Sequence, residues 1–224
     1  MNDEYFPSSH LLPHPSNRLL QLYAKKCYQG QDPAKAKIIF VGKDARWDFD
    51  LEMHPIWPLV EEYLKDGIAF GKKYRFHHPL LHFFYKRDTD MKMYHQSFSK
   101  IGLSNNYIAD VSFVELLWFP TTGSSKENNE AYRKYLYSAE NRPYLKNLER
   151  WLNNPAKKLF ISRTVLDCLK KLYKETGMFE RFGTLEVPPK TIGEGVMPCP
   201  ENIFLHTHLS YASPRVWLEI AQYI

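Results

Sequence analysis

A carboxylate and two imidazoles stand where apolar runs of the sequence end. Asp44 follows the run KIIFVG, whereas His206 lies near the end of the run NIFLHT and His208 just beyond it. A carboxylate and an imidazole that face one crevice can activate water and stabilise an anion that develops during a reaction. The structural alternative is that Asp44 caps a turn and that the histidines satisfy backbone groups at the end of a strand.

Four short apolar runs predict the strands that would position these groups. Each run is too short for a helix and is rich in Ile, Val or Phe. The runs cover residues 37–42, 107–114, 157–162 and 202–207. Helical patterns are found at 55–67, 125–140, 143–155 and 164–177, and Ser213 and Pro214 suit the N-cap and first position of a last helix.

The alternation of strands and helices predicts a three-layer α/β/α sandwich around a central, mainly parallel four-stranded sheet. The chain has 224 residues, of which 44% are apolar, and can bury one substantial core, so we expect a single domain over residues 1–224. Within it, 1–35 is interpreted as an N-terminal extension with a helix and 178–200 as an irregular insertion. Ligands of open α/β sheets bind beyond the carboxyl ends of the strands, which is where Asp44 and His208 are expected to meet.

Composition narrows the class of protein. The formal charge of +5 raises the case for an anionic partner only slightly, because 30 basic residues stand against 25 acidic ones. The three cysteines are odd in number and far apart, which argues against a disulfide framework and against a Cys-x-x-Cys metal site. With no apolar signal region and no long apolar run, we expect a cytoplasmic protein without a membrane segment.

Several segments resemble motifs of the uracil-DNA glycosylase superfamily. VGKDARW at 41–47 is similar to the family's GQDPYH motif, and HLSYAS at 208–213 is similar to HPSPLS. DGIAFG at 66–71 resembles the segment that brings a phenylalanine to the base pocket. YIADVSFVELLWFP resembles the family's second strand, and RPYLKNLERWLNNPAKKLFIS resembles the helix, proline and strand that follow it. These segments keep the family's order over most of the chain from about residue 37 onward.

The resemblance implies a DNA glycosylase, which flips a nucleotide out of the stack and hydrolyses the N-glycosidic bond of uracil or another damaged base. Asp44 takes the place of the family's water-activating aspartate, which also stabilises the sugar cation. His208 matches the histidine that hydrogen-bonds the base carbonyl as negative charge builds there. Phe70 would stack on the base, and the reaction needs no cofactor. The same base-binding set includes Gly42, Arg46 and Asp110.

The resemblance and the local charge also predict contacts with single- or double-stranded DNA by a monomeric protein. Ser210 matches a serine in the family loop that pinches the DNA backbone, and Tyr211 replaces residues that wedge into the base stack. Basic side chains follow Phe70 and begin the last helix, where backbone N–H groups favour phosphate. The expected DNA contacts are Ser210, Tyr211, Ser213, Lys72, Lys73, Arg75 and Arg215. For the basic residues that follow Phe70, namely Lys72, Lys73 and Arg75, the alternative is a solvated basic loop.

The sequence departs from the family pattern at the base pocket. Ala45 and Arg46 replace the Pro-Tyr pair that follows the aspartate, and that tyrosine excludes the methyl group of thymine. Asp110 stands where the base-reading asparagine is expected. An ionised aspartate only accepts hydrogen bonds and would fit an amino or ring N–H edge, unless a dry pocket keeps it protonated. An alignment shifted by several residues would put Glu115 there instead.

Two other functions stay open. A non-catalytic nucleic-acid-binding relative would keep the fold and groove without activity, and the substitutions Arg46 and Asp110 are its main support. A metal-dependent hydrolase would use His206 and His208 as ligands, but such sites recruit further histidines and a carboxylate from other strands. We therefore assign no metal ligands and expect His206 to be a packed or capped histidine.

Overall fold

The centre of the protein is a mixed β-sheet. The structure, a computed structural model, describes residues 11–102, 107–123, 129–188 and 195–224. Its six strands are β1 Tyr28–Gly30, β2 Ile38–Gly42, β3 Val111–Glu115, β4 Lys158–Ser162, β5 Met197–Cys199 and β6 Ile203–His206. They lie side by side in the order β1-β3-β2-β4-β6-β5.

The four predicted strands form the parallel centre of this sheet. β3, β2, β4 and β6 are adjacent and mutually parallel. The prediction of only four strands is wrong at both edges, where β1 pairs antiparallel with β3 and β5 pairs antiparallel with β6. Each edge strand has only three residues, YQG and MPC, so neither carries an apolar pattern that would indicate a strand.

Nine α-helices are present in the described part of the chain. They are α1 Asn17–Lys25, α2 Trp57–Lys65, α3 Gly67–Tyr74, α4 Asp90–Ser99, α5 Asn129–Leu136, α6 Arg142–Leu152, α7 Arg163–Thr176, α8 Glu180–Gly183 and α9 Pro214–Tyr223. Short 3-10 turns at Tyr107–Asp110 and Leu209–Tyr211 precede β3 and follow β6.

Five helices agree with the predicted helical patterns, and three others, α3, α4 and α8, were not predicted. α2, α5, α6, α7 and α9 fall where the patterns lie, and α7 ends at Gly177 in the left-handed conformation. α3 occupies the segment interpreted as a base-pocket motif, and Asp66 caps it by accepting from the N–H groups of Ile68 and Ala69. α4 begins after Thr89, which accepts from the N–H of Lys92.

Helices pack on both faces of the sheet because strand side chains alternate between the faces. Ile39 and Val41 of β2 join the apolar cluster that contains the buried side chains of α5, α6 and α7. Ile38 and Phe40 join a second cluster that contains those of α4 and α9. Helices therefore cover both faces of the sheet, and the ends of the strands stay accessible for binding a ligand.

The two segments expected to lie outside the sheet both contribute a strand to it. Of 1–35, residues 11–35 are described and contain α1 and β1. The stretch 178–200 contains α8 and β5, while its residues 189–194 lie outside the described part. Among the described residues, no helix combines the length and the apolar character that a membrane span requires.

Candidate active site

The carboxyl ends of the four parallel strands form one row of residues. In sheet order these are Glu115 of β3, Gly42 of β2, Ser162 of β4 and His206 of β6. The pairing sets Gly42 opposite Glu115 and Ser162 opposite His206. Three polar side chains thus follow from parallel pairing alone, at the edge where α/β proteins bind ligands.

A cavity of about 730 Å³ opens over this row. Its volume lies within the roughly 300–1,000 Å³ typical of ligand sites. The four strand-end residues line it, together with the loop after β2, the first turns of α4 and the loop after β6. Six predicted site residues are in the lining: Gly42, Asp44, Arg46, His208, Ser210 and Tyr211.

Asp44 is held in place by a threonine. The hydroxyl of Thr121 donates to Asp44 Oδ2 at 2.5 Å and accepts from the N–H of Gly123 at 3.0 Å. Thr121 is fully buried, whereas Asp44 is half-buried and lines the cavity. The carboxylate is therefore oriented by a fixed donor while part of it stays accessible to a ligand.

His208 lines the same cavity and caps the turn that follows β6. Its Nδ1 accepts from the N–H of Ser210 at 3.4 Å, and its ring centroid lies 5.4 Å from that of Tyr94. Desolvation lowers the pKa of His208, and the carboxylates of Asp90 and Asp44 partly offset this effect. A neutral imidazole that accepts at Nδ1 carries its proton on Nε2, so His208 can donate from Nε2.

Glu115 is a cavity residue that strand pairing places against Gly42. A Cβ at position 42 would lie 2.0 Å from Glu115 Oε2, so the glycine makes room for this carboxyl group. Burial, followed by the negative charge of Asp44, raises the pKa of Glu115 well above its ordinary value. Burial and the nearby negative charge therefore favour the neutral, protonated form of Glu115.

His206 is 5% exposed and lines the cavity. Its Nδ1 lies 2.8 Å from the carbonyl oxygen of Thr207, and burial lowers its pKa to about 4. This arrangement agrees with a packed and capped histidine. Within the described ranges, no group of three or more His, Cys, Asp or Glu side chains is arranged to hold a metal ion.

Asp90, at the start of α4, contacts both the loop after β2 and the loop after β6 at the cavity. Its carboxylate pairs with Arg46 at 3.6 Å and accepts from the hydroxyl of Tyr211 at 3.3 Å. Its carbonyl oxygen accepts from the hydroxyl of Ser210 at 2.6 Å. Sequence reasoning missed Asp90 because helix α4 carries no clear apolar period and the contact joins distant parts of the chain.

Phe70 does not reach the cavity, so the expectation that it stacks on a base is wrong. It is fully buried on α3, with ring centroids 5.4 Å from Tyr63 and 4.7 Å from Tyr74. Its segment forms a helix whose apolar side packs inward. The aromatic rings that do line the cavity come from the sheet and from α4: Phe40, Phe113 and Tyr94.

Asp110 is also misplaced by the motif alignment. It closes the turn Tyr107–Asp110 before β3, where its carboxylate pairs with Lys37 at 3.2 Å. Because β3 begins at Val111, Asp110 lies at the amino end of the strand, opposite to the cavity. The shifted alternative, Glu115, is the residue that lines the cavity.

The basic residues on α3 and α9 are also absent from the cavity lining. Lys72 and Lys73 lie in the last turn of α3 and Arg75 follows it, and Lys73 binds Glu62 at 2.8 Å. Helix α3 packs on β1 and on the turn before β3, toward the amino end of β3.

The remaining two predicted contacts are on α9, where Ser213 is the N-cap and Arg215 pairs with Glu219 at 2.5 Å. These residues lie outside the cavity lining, so their contacts with DNA stay predictions, and the basic groups in the lining are Lys43, Arg46 and Arg163.

The fold and the site define an α/β protein with a cavity at the carboxyl edge of its parallel strands, lined by both polar and apolar side chains. Comparisons with models of known families, with curated proteins and with solved structures found no match. The resemblance to the uracil-DNA glycosylase superfamily therefore stays a prediction from the sequence motifs.

Proposed function

We propose that the protein hydrolyses the N-glycosidic bond of a base flipped out of DNA. The observation that supports this function most is that Asp44 and His208, which belong to different motifs far apart in the chain, line one cavity. Breaking this bond through an oxocarbenium-like state needs negative charge or activated water on the sugar side and a donor to the departing base.

Asp44 supplies the sugar side of this reaction. Its carboxylate, oriented by Thr121, accepts a proton from the attacking water and stabilises positive charge on the sugar. His208 supplies the base side, because its neutral ring can donate from Nε2 to a base oxygen that gains negative charge. One such pre-set donor is worth roughly 3 kcal/mol of barrier.

The remaining lining fits a flipped nucleotide. Tyr94, which lines the cavity and is only partly buried, offers aromatic surface to a base, and base–aromatic stacking contributes about 1–3 kcal/mol. Lys43 and Arg163 add positive charge that suits the phosphates flanking the flipped base. The cavity and the loop that contains Ser210 and Tyr211 supply the DNA contacts on which this proposal is argued, and contacts by the basic residues of α3 and α9 stay predictions.

A base-release assay tests this function. Single- and double-stranded oligonucleotides that contain uracil, hypoxanthine, xanthine or mismatched thymine are incubated with the wild type and with His208→Ala. We expect release of at least one base, and a loss of roughly 10²–10³-fold in His208→Ala. His82→Ala is the matched control, because Nδ1 of His82 likewise accepts from a backbone N–H, at 3.3 Å, outside the cavity.

The same assay separates the alternatives. DNA that is retained without release of any base would favour a non-catalytic binding protein. Release that requires an added divalent metal and is lost in His206→Ala would favour a hydrolase with His206 and His208 as ligands. Equal release by the wild type and by His208→Ala would contradict the proposed role of His208.

A further inference from the structure

Glu115 has a carboxyl group that the proposed reaction does not use. It lies at the end of β3 in the cavity lining, and Gly42 leaves the space that this carboxyl group fills. Within the described part of the chain, no hydrogen-bond or ion-pair partner of this carboxyl group is found, and the charge that acts on it is that of Asp44. A ligand in the cavity would therefore meet a carboxyl group whose hydrogen-bonding capacity is unused.

The groups around Glu115 favour its neutral form. Five tyrosines from five helices lie close enough that a charge on Glu115 raises their pKa values, so they stay un-ionised and offer no charge to it. They are Tyr23, Tyr63, Tyr94, Tyr132 and Tyr144. The other charged or titratable groups in the lining are Lys43, Arg46, Asp90, Arg163, His95, His206, His208 and Tyr211. Arg46 is paired with Asp90, and burial keeps His95 and His206 neutral. Asp44 then remains the dominant charge near Glu115, and it opposes ionisation.

We propose that Glu115 binds the ligand as a neutral carboxylic acid, through its O–H and its C=O together. The O–H donates to an acceptor on the edge of a ring, and the C=O accepts from the N–H beside it. The inference rests on the proposed function and names the ligand class, which is a base whose exposed edge has an acceptor next to a donor, as in uracil and hypoxanthine. An ionised Glu115 would only accept hydrogen bonds and would repel the acceptor atom.

Three consequences separate this role from others. A glutamine at position 115 presents a donor and an acceptor in nearly the same places, so Glu115→Gln keeps the binding, whereas Glu115→Ala loses it. Binding by the wild type weakens as the pH rises and Glu115 ionises, while binding by Glu115→Gln does not. A methyl group on the ring nitrogen removes the donor from the ligand edge, so 3-methyluracil should bind weakly to the wild type and to Glu115→Gln.

Binding of the free bases uracil, hypoxanthine and 3-methyluracil is measured by titration calorimetry from about pH 6 to about pH 8, where the ring N–H groups of uracil and hypoxanthine keep their protons. This tests the inference, because raised glutamate pKa values lie in or near this range. We expect uracil or hypoxanthine to bind about tenfold to hundredfold more weakly to Glu115→Ala than to the wild type and Glu115→Gln. Far-ultraviolet circular dichroism and thermal unfolding verify that each variant is folded.

The outcomes distinguish this inference from the proposed function. If Glu115→Gln binds as poorly as Glu115→Ala, or if the wild type binds none of the bases, the role of Glu115 as a neutral binding residue is overturned. Base release that is unchanged in Glu115→Ala also overturns it and leaves the glycosylase proposal standing. Binding that follows the expected pattern without release of any base supports the inference and contradicts the glycosylase.

Discussion

The carboxyl groups of Asp44 and Glu115 face one cavity, and the charge of Asp44 adds to burial in raising the pKa of Glu115. The pairing of β2 with β3 produces this relationship, because it sets Gly42 opposite Glu115, and Asp44 follows Gly42 by two residues. Carboxyl groups whose surroundings push them into different protonation states can divide acid and base roles between them. Under the proposed function, Asp44 would act on the water and the sugar, while Glu115 would bind the base.

The hydrogen bond between Thr121 and Asp44 is expected to position the carboxylate for reaction. Thr121→Val keeps the shape of the side chain and removes the donor, so base release should slow roughly tenfold to hundredfold as Asp44 loses its orientation. The variant should also lose about 1–3 kcal/mol of stability, because the N–H of Gly123 loses its acceptor. Thr121→Ser keeps the hydroxyl and is the control. Equal single-turnover rates in the wild type and Thr121→Val would show that this bond does not position Asp44.

Gly42 is predicted to be required because a larger residue would take the space that the Glu115 carboxyl group fills. In Gly42→Ala the new Cβ would meet the Glu115 carboxyl group, so we expect a loss of unfolding free energy on the order of 1–3 kcal/mol and weaker ligand binding. In the double variant Gly42→Ala/Glu115→Ala the contact is gone. Chemical denaturation of the four proteins in this cycle should then show a smaller loss than the sum of the single losses. Additive losses would mean that the methyl group clashes elsewhere.

Stability is predicted to fall in mild acid because several histidines are buried. His77 Nε2 lies 3.1 Å from His95 Nδ1, the rings of His78 and His95 stack at 3.5 Å, and burial lowers the pKa of all three, that of His77 to about 3. Unfolded histidines gain a proton below about pH 6.5, so the unfolded state binds more protons there.

The free energy of unfolding should therefore decrease as the pH falls below about 6.5, by up to roughly 1.4 kcal/mol per pH unit for each such histidine. Urea unfolding of the wild type and His77→Gln at a series of pH values measures this. The variant should show a shallower slope. Parallel curves would indicate that His77 does not stay neutral in the folded protein.

Glu115 is expected to destabilise the fold at neutral pH. The unfolded glutamate ionises above about pH 4.3, whereas the raised pKa of the folded one keeps its proton bound to a higher pH, so the folded state binds more protons and loses stability as the pH rises. The amide of Glu115→Gln does not titrate, so the variant lacks this pH-dependent loss of stability. Its unfolding free energy, compared with that of the wild type, should show an advantage that grows between about pH 5 and about pH 7. A difference that does not change with pH would mean that Glu115 ionises normally.

The sequence predicts the strands well because their apolar runs are long enough to show a pattern. It also predicts the meeting of Asp44 and His208, since the ends of parallel strands share one edge of the sheet. The edge strands β1 and β5 depend on pairing with a neighbour, which three residues without an apolar pattern do not reveal.

The errors at the site have a common physical origin. Asp110 lies in an apolar run that begins with a turn, so the run alone does not show that the strand starts at Val111 and ends at Glu115. Phe70 has the residue type needed for stacking, but the apolar side of α3 directs it into the core. Contacts such as that of Asp90 with Arg46 depend on how α4 packs against the sheet, and no local pattern reports them.

Single-turnover release of a base from a uracil- or hypoxanthine-containing oligonucleotide by Asp44→Asn and Asp110→Asn tests the central claim most directly. Both variants replace a carboxylate with an amide, but only Asp44 lines the cavity, whereas Asp110 pairs with Lys37 at the opposite end of its strand. We predict a loss of roughly 10²-fold or more for Asp44→Asn and a wild-type rate for Asp110→Asn. Release by Asp44→Asn at the wild-type rate, or an equal loss in Asp110→Asn, would contradict the assignment of this cavity as the active site.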